Sequence, residues 1–427
     1  MKVWRGLTLA LIASLVLGVA AAQDPTTMRI TWWGSQDRHD RTIEVISLFE
    51  AANPGLSVEY EFSSWGDYWT RVNTQAAGGQ MACIMQHDYR YLGEWQSRGL
   101  LLPLDEFVAS GVIDTSNIAP SQLAGGELGG QLYGINLGSN SQAFMVDLDL
   151  LAQAGLELPA NDWTWADFEE MALAIHDRLG VWAIGATLPD EALWKSLYLG
   201  LGGWGSNVEG TALGYDDDQP LIDYFNMIMR LQDAGAIPNQ QEATEMADLG
   251  PEQAPIVTQR AVMDYRWSNQ VVAVWSAAGE DRNFALLPLP RVDGGASPNY
   301  IKPSMFFSIT SQCDQPELAA QFIDFFVNDL EANDVLFAER GVPVTTAVVD
   351  HLRPNLERAQ AVMFDFLNLA AADASPVPPA DPPGWGDVLN NVYDPLFADR
   401  VLYRQITPEQ GVVILREEAN DILSANE

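Results

Sequence analysis

The alternation of apolar and polar positions becomes regular at Met28. Met28, Ile30 and Trp32 alternate with Arg29, Thr31 and Trp33, the period of a strand, and Gly34 ends the run. Ser35, Gln36, Asp37, Arg38 and His39 make a polar loop. Residues 41–52 then place Ile43, Ile46 and Phe49 on one helical face, stopped by Asn53-Pro54-Gly55. Val58, Tyr60 and Phe62 alternate with Ser57, Glu59 and Glu61, which predicts a second strand. Ser64-Trp65-Gly66-Asp67 leads into a helix closed by Gly78-Gly79. Ala82 to Gln86 predicts a short third strand, His87-Asp88-Tyr89 the loop beyond it, and a helix follows towards Gly99. This β-α-β-α-β-α order predicts a parallel sheet covered by helices.

From Gln131 the pattern changes. Leu132 to Gly138 and Gln142 to Val146 read as paired strands around a polar turn. Thr164 is placed to cap the helix that opens at Trp165, with Asp167 in its first turn. Helices dominate to about residue 282. Strands are predicted again at Phe284 to Leu289 and Met305 to Thr310. Residues 373–386 hold five prolines and read as a rigid surface loop.

Composition changes this picture in three places. Lys2 and Arg5, the apolar run Leu7 to Val19 and Ala20-Ala21-Ala22 have the form of a secretory signal cleaved near Ala22. The run is too short to span a bilayer, and no cysteine adjoins it for a lipid anchor, so an exported, soluble chain is expected. The 427 residues suggest two domains, and the net charge of −36 argues against nucleic acid and anionic membranes as partners. Cys83 and Cys313 are the only cysteines, to be read as a disulfide or as two buried thiols. His39, His87, His176 and His351 lack metal-ligand spacing, so no metal and no cofactor is expected.

The order of several short motifs resembles that of the extracellular solute-binding proteins of ABC importers, family 1, the maltose-binding-protein-like group. The residues that carry the resemblance are Ile30-Thr31-Trp32-Trp33, Phe49-Glu50-Ala51-Ala52-Asn53-Pro54-Gly55 and Gln75-Ala76-Ala77-Gly78-Gly79. Further along they are Leu132-Tyr133-Gly134-Ile135, Gln153-Ala154-Gly155-Leu156, Trp163 to Phe168, Gln259 to Met263 and Gly341-Val342-Pro343. The chain departs from the family at Ala82-Cys83, where Pro-Asp is usual, and at Val146-Asp147, where Tyr-Asn is usual. The resemblance implies an α/β, two-lobe periplasmic-binding-protein (type II) fold, hinge-linked, with the ligand cleft between the lobes. It implies a first lobe of 23–135 plus 290–344 and a second of 136–289 plus 345–427. Hinge strands are expected near 134–138, 287–292 and 342–348. In that topology the strand ending near Thr310 runs antiparallel beside the third strand, which implies a Cys83–Cys313 disulfide. A periplasmic monomer that binds a carbohydrate and docks on ABC permease subunits is the implied role.

Sugar recognition needs aromatic faces for the apolar ring surfaces and planar polar groups for neighbouring hydroxyls. In open α/β sheets such groups gather beyond the carboxyl ends of strands. On the first loop, alternation assigns Trp32 to the core and Trp33, Ser35, Gln36 and Arg38 to the ligand wall. Trp65 and Tyr68 follow the second strand, and His87 and Asp88 the third. Asn140 and Gln142 lie in the turn by the hinge. Trp204, Arg266, Trp267 and Trp385 are the candidates of the second lobe, and Lys302 and Ser304 precede a returning strand. Arg38, Arg41, Arg90, Arg266 and Lys302 are possible partners for ligand carboxylates, which hints at uronate-bearing oligosaccharides; neutral ones fit equally. A secreted glycoside hydrolase or a binder of a non-sugar anion is the alternative. No paired carboxylates with acid–base spacing stand out for the hydrolase.

Overall fold

A computed structural model describes residues 26–185, 187–246 and 249–426. The signal segment and its cleavage site lie outside the described residues. In chain order the elements that matter for the site are β1 (Thr26–Trp33), α1 (Gln36–Ala52), β2 (Leu56–Ser63), α2 (Trp65–Ala77), β3 (Ile84–His87) and α3 (Tyr89–Ser97). They are followed by β4 (Ile135–Asn136), β5 (Ser139–Asn140), β6 (Gln142–Asp147), β7 (Trp182–Ile184) and α4 (Glu191–Gly200). The set closes with β8 (Ala261–Trp267), β9 (Phe284–Leu287), β10 (Lys302–Pro303), β11 (Phe306–Ile309) and α5 (Leu330–Leu336).

Two sheets result. The first has the order β2-β1-β3-β11-β4, with β1 parallel to β2 and β3, and β11 antiparallel to β3. The second has the order β9-β6-β8-β7. Each carries its own apolar core: one is built around Trp32, Ile84, Phe307 and Phe322, the other around Phe144, Phe168, Trp194 and Phe225. The C-terminal segments from Trp385 to Leu423 pack into the second core. Helix starts follow local chemistry. Ser35, Ser64 and Asp88 cap α1, α2 and α3 through their side-chain oxygens, and Thr164 and Asp167 form a reciprocal capping box.

The chain crosses between the lobes three times. The first crossing runs from β4 through β5 to β6. The second is β10, which pairs antiparallel with β5. The third passes Val342, which exchanges hydrogen bonds of 2.7 and 3.1 Å with Ser139. Here Gly341 has φ +115°, and a Cβ on it would lie 2.4 Å from Asn140 Oδ1, so only glycine fits. Residues 290–301, expected with the first lobe and its hinge, are tied to the second. Ala296 N donates to Gly200 O at 2.8 Å, and Asn299 Nδ2 donates to Gln142 O at 2.6 Å. The second crossing therefore lies at Lys302–Pro303 and not near 287–292.

Cys83 and Cys313 are disulfide-bonded, with Cα atoms 4.3 Å apart. The antiparallel return of β11 creates the pairing: Thr310 N donates to Cys83 O at 3.0 Å, and Cys313 lies one turn beyond. The bond ties positions separated by 230 residues, which restricts the unfolded chain strongly. A Cys83→Ser, Cys313→Ser double variant is expected to lose about 2–4 kcal/mol of stability, read from urea midpoints of oxidised protein.

Candidate interlobe binding site

The cleft forms where three groups of residues meet. The first lobe supplies Asp88, Tyr89 and Arg90 at the start of α3. These lie at the carboxyl end of β3, where parallel-sheet topology places ligands. The second lobe supplies Glu191 and Lys195 on α4, Trp204, Trp267 at the end of β8, and Pro378, Asp381 and Trp385 from the proline-rich segment. The hinge adds Tyr300, Lys302 and Ser304.

The two walls touch. Arg90 of the first lobe reaches Glu191 at 2.7 Å and Asp381 at 3.9 Å, and the Tyr89 hydroxyl donates to Pro378 O at 3.2 Å. Behind these contacts Lys195 Nζ lies 2.9 Å from Asp381 Oδ1 and 3.2 Å from Glu191 Oε1. Its ammonium sits over the faces of Trp204, at 4.9 Å, and Trp385, at 5.2 Å. On the hinge side Lys302 Nζ donates to Asp88 Oδ2 at 2.8 Å and lies 5.0 Å over Trp267. The other oxygen of Asp88 caps α3 by accepting from Arg90 N at 2.9 Å. One aspartate thus orders a helix, a hinge lysine and the cross-cleft arginine.

Electrostatics follow burial and neighbours. Burial pushes the Glu191 carboxyl up, but Arg90 and Lys195 outweigh it and hold the group below the usual range. At Asp381 burial prevails over Lys195, and the carboxyl is raised. Asp190, which caps α4, is also raised, by burial and then by the charge of Glu191. Burial and the two carboxylates Glu191 and Asp190 push Asp394 up to about 6.

Trp65, Asp88, Trp204, Trp267, Lys302 and Ser304 lie on or beside this cleft among the residues singled out from sequence. Trp65 is 39% exposed and stacks against Tyr91, the neighbour of Arg90. Ser304 is buried, its hydroxyl without a partner among the described residues. Trp385 is only 1% exposed and backs the wall through Lys195.

The remaining candidates are engaged by contacts within the chain. Trp33 packs against Trp65, Tyr68 and Trp69 with ring centroids 4.9, 5.1 and 5.7 Å away, inside the first core. Tyr68 is fully buried and donates to Gln86 O at 2.6 Å. Ser35 is spent on its helix cap, and Gln36 bonds Asp40 on the exposed side of α1. Arg38 grips Glu339 with Nε 2.9 and 2.8 Å from the two carboxylate oxygens. Arg266 pairs with Asp264 at 2.6 Å. Gln142 is buried, donating to Ser196 Oγ at 2.9 Å and accepting from Tyr265 Oη at 2.8 Å. Asn140 fastens the hinge by donating to Arg340 O at 3.4 Å.

His87 is buried between Trp69 and Trp95, both with centroids 5.4 Å away, and its Nδ1 lies 3.1 Å from Asp88 O. Burial, opposed only by the Asp88 carbonyl and carboxylate, lowers its pKa from 6.5 to about 4. The unfolded chain then binds the extra proton first. The stabilisation is fully present above pH 6.5 and is lost as pH falls towards 4. Between pH 7 and 4.5 this group alone is expected to cost about 2–3 kcal/mol. Urea titrations of wild type and His87→Phe at both pH values check it: the variant should show the flatter dependence.

Sequence reasoning missed Glu191, Lys195, Asp381, Tyr89 and Tyr300, and it treated the proline-rich segment as surface. A usable signal was present. The chain has three lysines among 22 basic residues. The two within the described residues, Lys195 and Lys302, both sit in the cleft.

Comparison with known proteins adds to this geometry. A model of the bacterial extracellular solute-binding proteins matches residues 36–329. A solved extracellular solute-binding protein family 1 member from Alicyclobacillus acidocaldarius is 29% identical with a TM-score of 0.66, over 94% of this chain and 100% of that one. A periplasmic oligogalacturonide-binding protein from Yersinia enterocolitica, solved with saturated digalacturonic acid, has a TM-score of 0.83 at 20% identity, over 94% and 99% of the two chains. An uncharacterized lipoprotein from Streptomyces antibioticus, encoded in the oleD 5' region, is 24% identical over 75% of this chain and 72% of its own length.

Proposed function

The chain belongs to the bacterial extracellular solute-binding protein family, and from that premise we propose that it captures a carbohydrate between its lobes and delivers it to an ABC permease. The observation that carries this reading is the cross-lobe contact of Arg90 with Glu191 beside the faces of Trp204 and Trp267. Both walls and the hinge contribute to one site, so a ligand gripped by both favours closure over opening. Aromatic faces suit the apolar faces of sugar rings, and the surrounding carboxylates, amine and guanidinium suit hydroxyls. The match to the Yersinia fold is consistent with an oligosaccharide as ligand, and a monomer acting in the periplasm after cleavage near Ala22 is part of the same proposal. The reading is non-catalytic. Glu191 and Asp381 share one ammonium on one wall instead of flanking a bond to be cleaved.

The test is a thermal-shift screen against di- to tetrasaccharides, followed by calorimetry on any that shift the melting temperature. A ligand at about 100 times its Kd raises native stability by about 2.7 kcal/mol, a readily measured shift. No shift with any saccharide, against a shift with an inorganic anion or an amino acid, overturns the carbohydrate reading.

A further inference from the structure

The charge pairing inside the cleft narrows the ligand class; the inference rests on the carbohydrate reading above. All five basic residues that the sequence offers as carboxylate partners are already paired within the chain. Arg38 holds Glu339 at 2.8 Å, Arg41 holds Asp37 at 2.8 Å, and Arg266 holds Asp264 at 2.6 Å. In the cleft itself Arg90 holds Glu191 at 2.7 Å and Lys302 holds Asp88 at 2.8 Å. Lys195, which the pattern did not single out, is shared by Asp381 and Glu191. The cleft cations Arg90, Lys195 and Lys302 are therefore matched by the carboxylates of Glu191, Asp381 and Asp88.

We propose that this cleft selects saccharides without carboxylates, and that the Arg90–Glu191 pair is the element that turns uronates away. A uronate entering the cleft has two courses. Its carboxylate displaces Glu191 from Arg90, leaving a largely buried glutamate that has only the Lys195 it shares with Asp381, or displaces Asp88 from Lys302, leaving a buried aspartate without its cation. Otherwise it stands unpaired beside Glu191 and Asp381. Each course puts an uncompensated negative charge in a water-poor site, which is strongly unfavourable. Hydroxyls face no such penalty, because they donate to the carboxylates without displacing the cations. This separates the chain from the Yersinia structure that shares its fold, whose digalacturonic acid ligand carries carboxylates.

The experiment is calorimetry on the full mature chain with cellotriose, maltotriose and galactotriose, each against its C6-carboxylate counterpart. The matched pairs differ only in the group at issue. Wild type is expected to bind at least one neutral sugar about tenfold or more tighter than its acid counterpart, and Glu191→Gln to narrow that ratio by about tenfold. Should Glu191→Gln fail to fold, as judged by circular dichroism, Asp381→Asn removes one of the two carboxylates that share Lys195 and carries the same comparison. An acid form binding wild type as tightly as or more tightly than its neutral partner overturns the inference while leaving the carbohydrate reading intact. So does an unchanged ratio in a folded variant. If the whole saccharide screen and all six trisaccharides fail to bind, the carbohydrate reading itself falls, and the selectivity inference falls with it.

Discussion

Replacing Glu339 by glutamine is expected to lower stability by about 3–5 kcal/mol. Glu339 is 5% exposed and lies between two buried arginines. Arg38 Nε approaches both its oxygens, at 2.9 and 2.8 Å, and Arg340 Nη1 lies 3.7 Å from Oε2. Burial opposes ionisation, but Arg38 and then Arg340 overcome it and depress the carboxyl pKa. Its contribution is therefore present at neutral pH, above the unfolded value of about 4.3, and is lost as pH falls through the depressed native value. Arg340 shows how finely the cluster is balanced. Burial and then Arg38 push its pKa down to about 9, and Glu339 is the charge that resists. Glutamine keeps the shape and removes only the charge, leaving two guanidiniums with no anion between them.

The same residues join the hinge to the first lobe. Arg340 donates to Gln86 Oε1 at 3.0 Å and to Thr42 Oγ1 at 2.9 Å, both in the first lobe. The backbone carbonyl of Glu339 accepts from Asn269, in the turn just after β8, and that of Arg340 from Asn140 of β5. Loosening the cluster therefore loosens the point about which the lobes move. Urea unfolding of Glu339→Gln, with the slope checked for constancy, measures the effect. A loss below about 1 kcal/mol would show that the pair is as weak as a surface bridge.

How much of this was legible in the sequence depends on the range of the interaction. Period-two runs such as Met28 to Trp33 and Val58 to Phe62 announce strands because each residue's environment is set by its own parity. Helix caps such as Thr164 with Asp167 are legible for a similar reason, since both partners lie within one turn. The cleft is different. Lys195 meets Asp381 across 186 positions, and Arg38 meets Glu339 across 301. No local pattern encodes those distances. Asp381 sits among prolines, a composition that reads as surface, yet its carboxylate is carried into the cleft. Of the arginines that look free in the sequence, Arg90 meets Glu191 across the lobes and Arg38 meets Glu339 across 301 positions, while Arg41 and Arg266 pair with neighbours on their own elements, so candidate carboxylate receptors became internal ion pairs.

Trp33→Ala is the second large effect, and it marks where parity alone misleads. Alternation places Trp32 and Trp33 on opposite faces of β1, and the reading of Trp33 as a ligand contact assumed that one face was open. β1 lies between β2 and β3 in a sheet covered on both sides, and parallel sheets of this kind bury both faces. Trp32 bonds His39 of α1 through its indole N–H at 3.1 Å; Trp33 packs among the aromatics of α2. Truncating a tryptophan that is 8% exposed is expected to cost about 3–5 kcal/mol, from lost transfer energy and the cavity left behind. The backbone carbonyl of residue 33 would still accept from Arg38 and Gln86, so the loop keeps its course. Trp65 offers the contrast. It rests on Trp33 but is 39% exposed and stacks on Tyr91, over whose ring Arg90 lies, so Trp65→Ala should cost less stability and more affinity. Urea midpoints and saccharide dissociation constants measured on both variants separate the roles. A Trp33→Ala protein with an unchanged midpoint and a weakened dissociation constant would return Trp33 to the ligand wall.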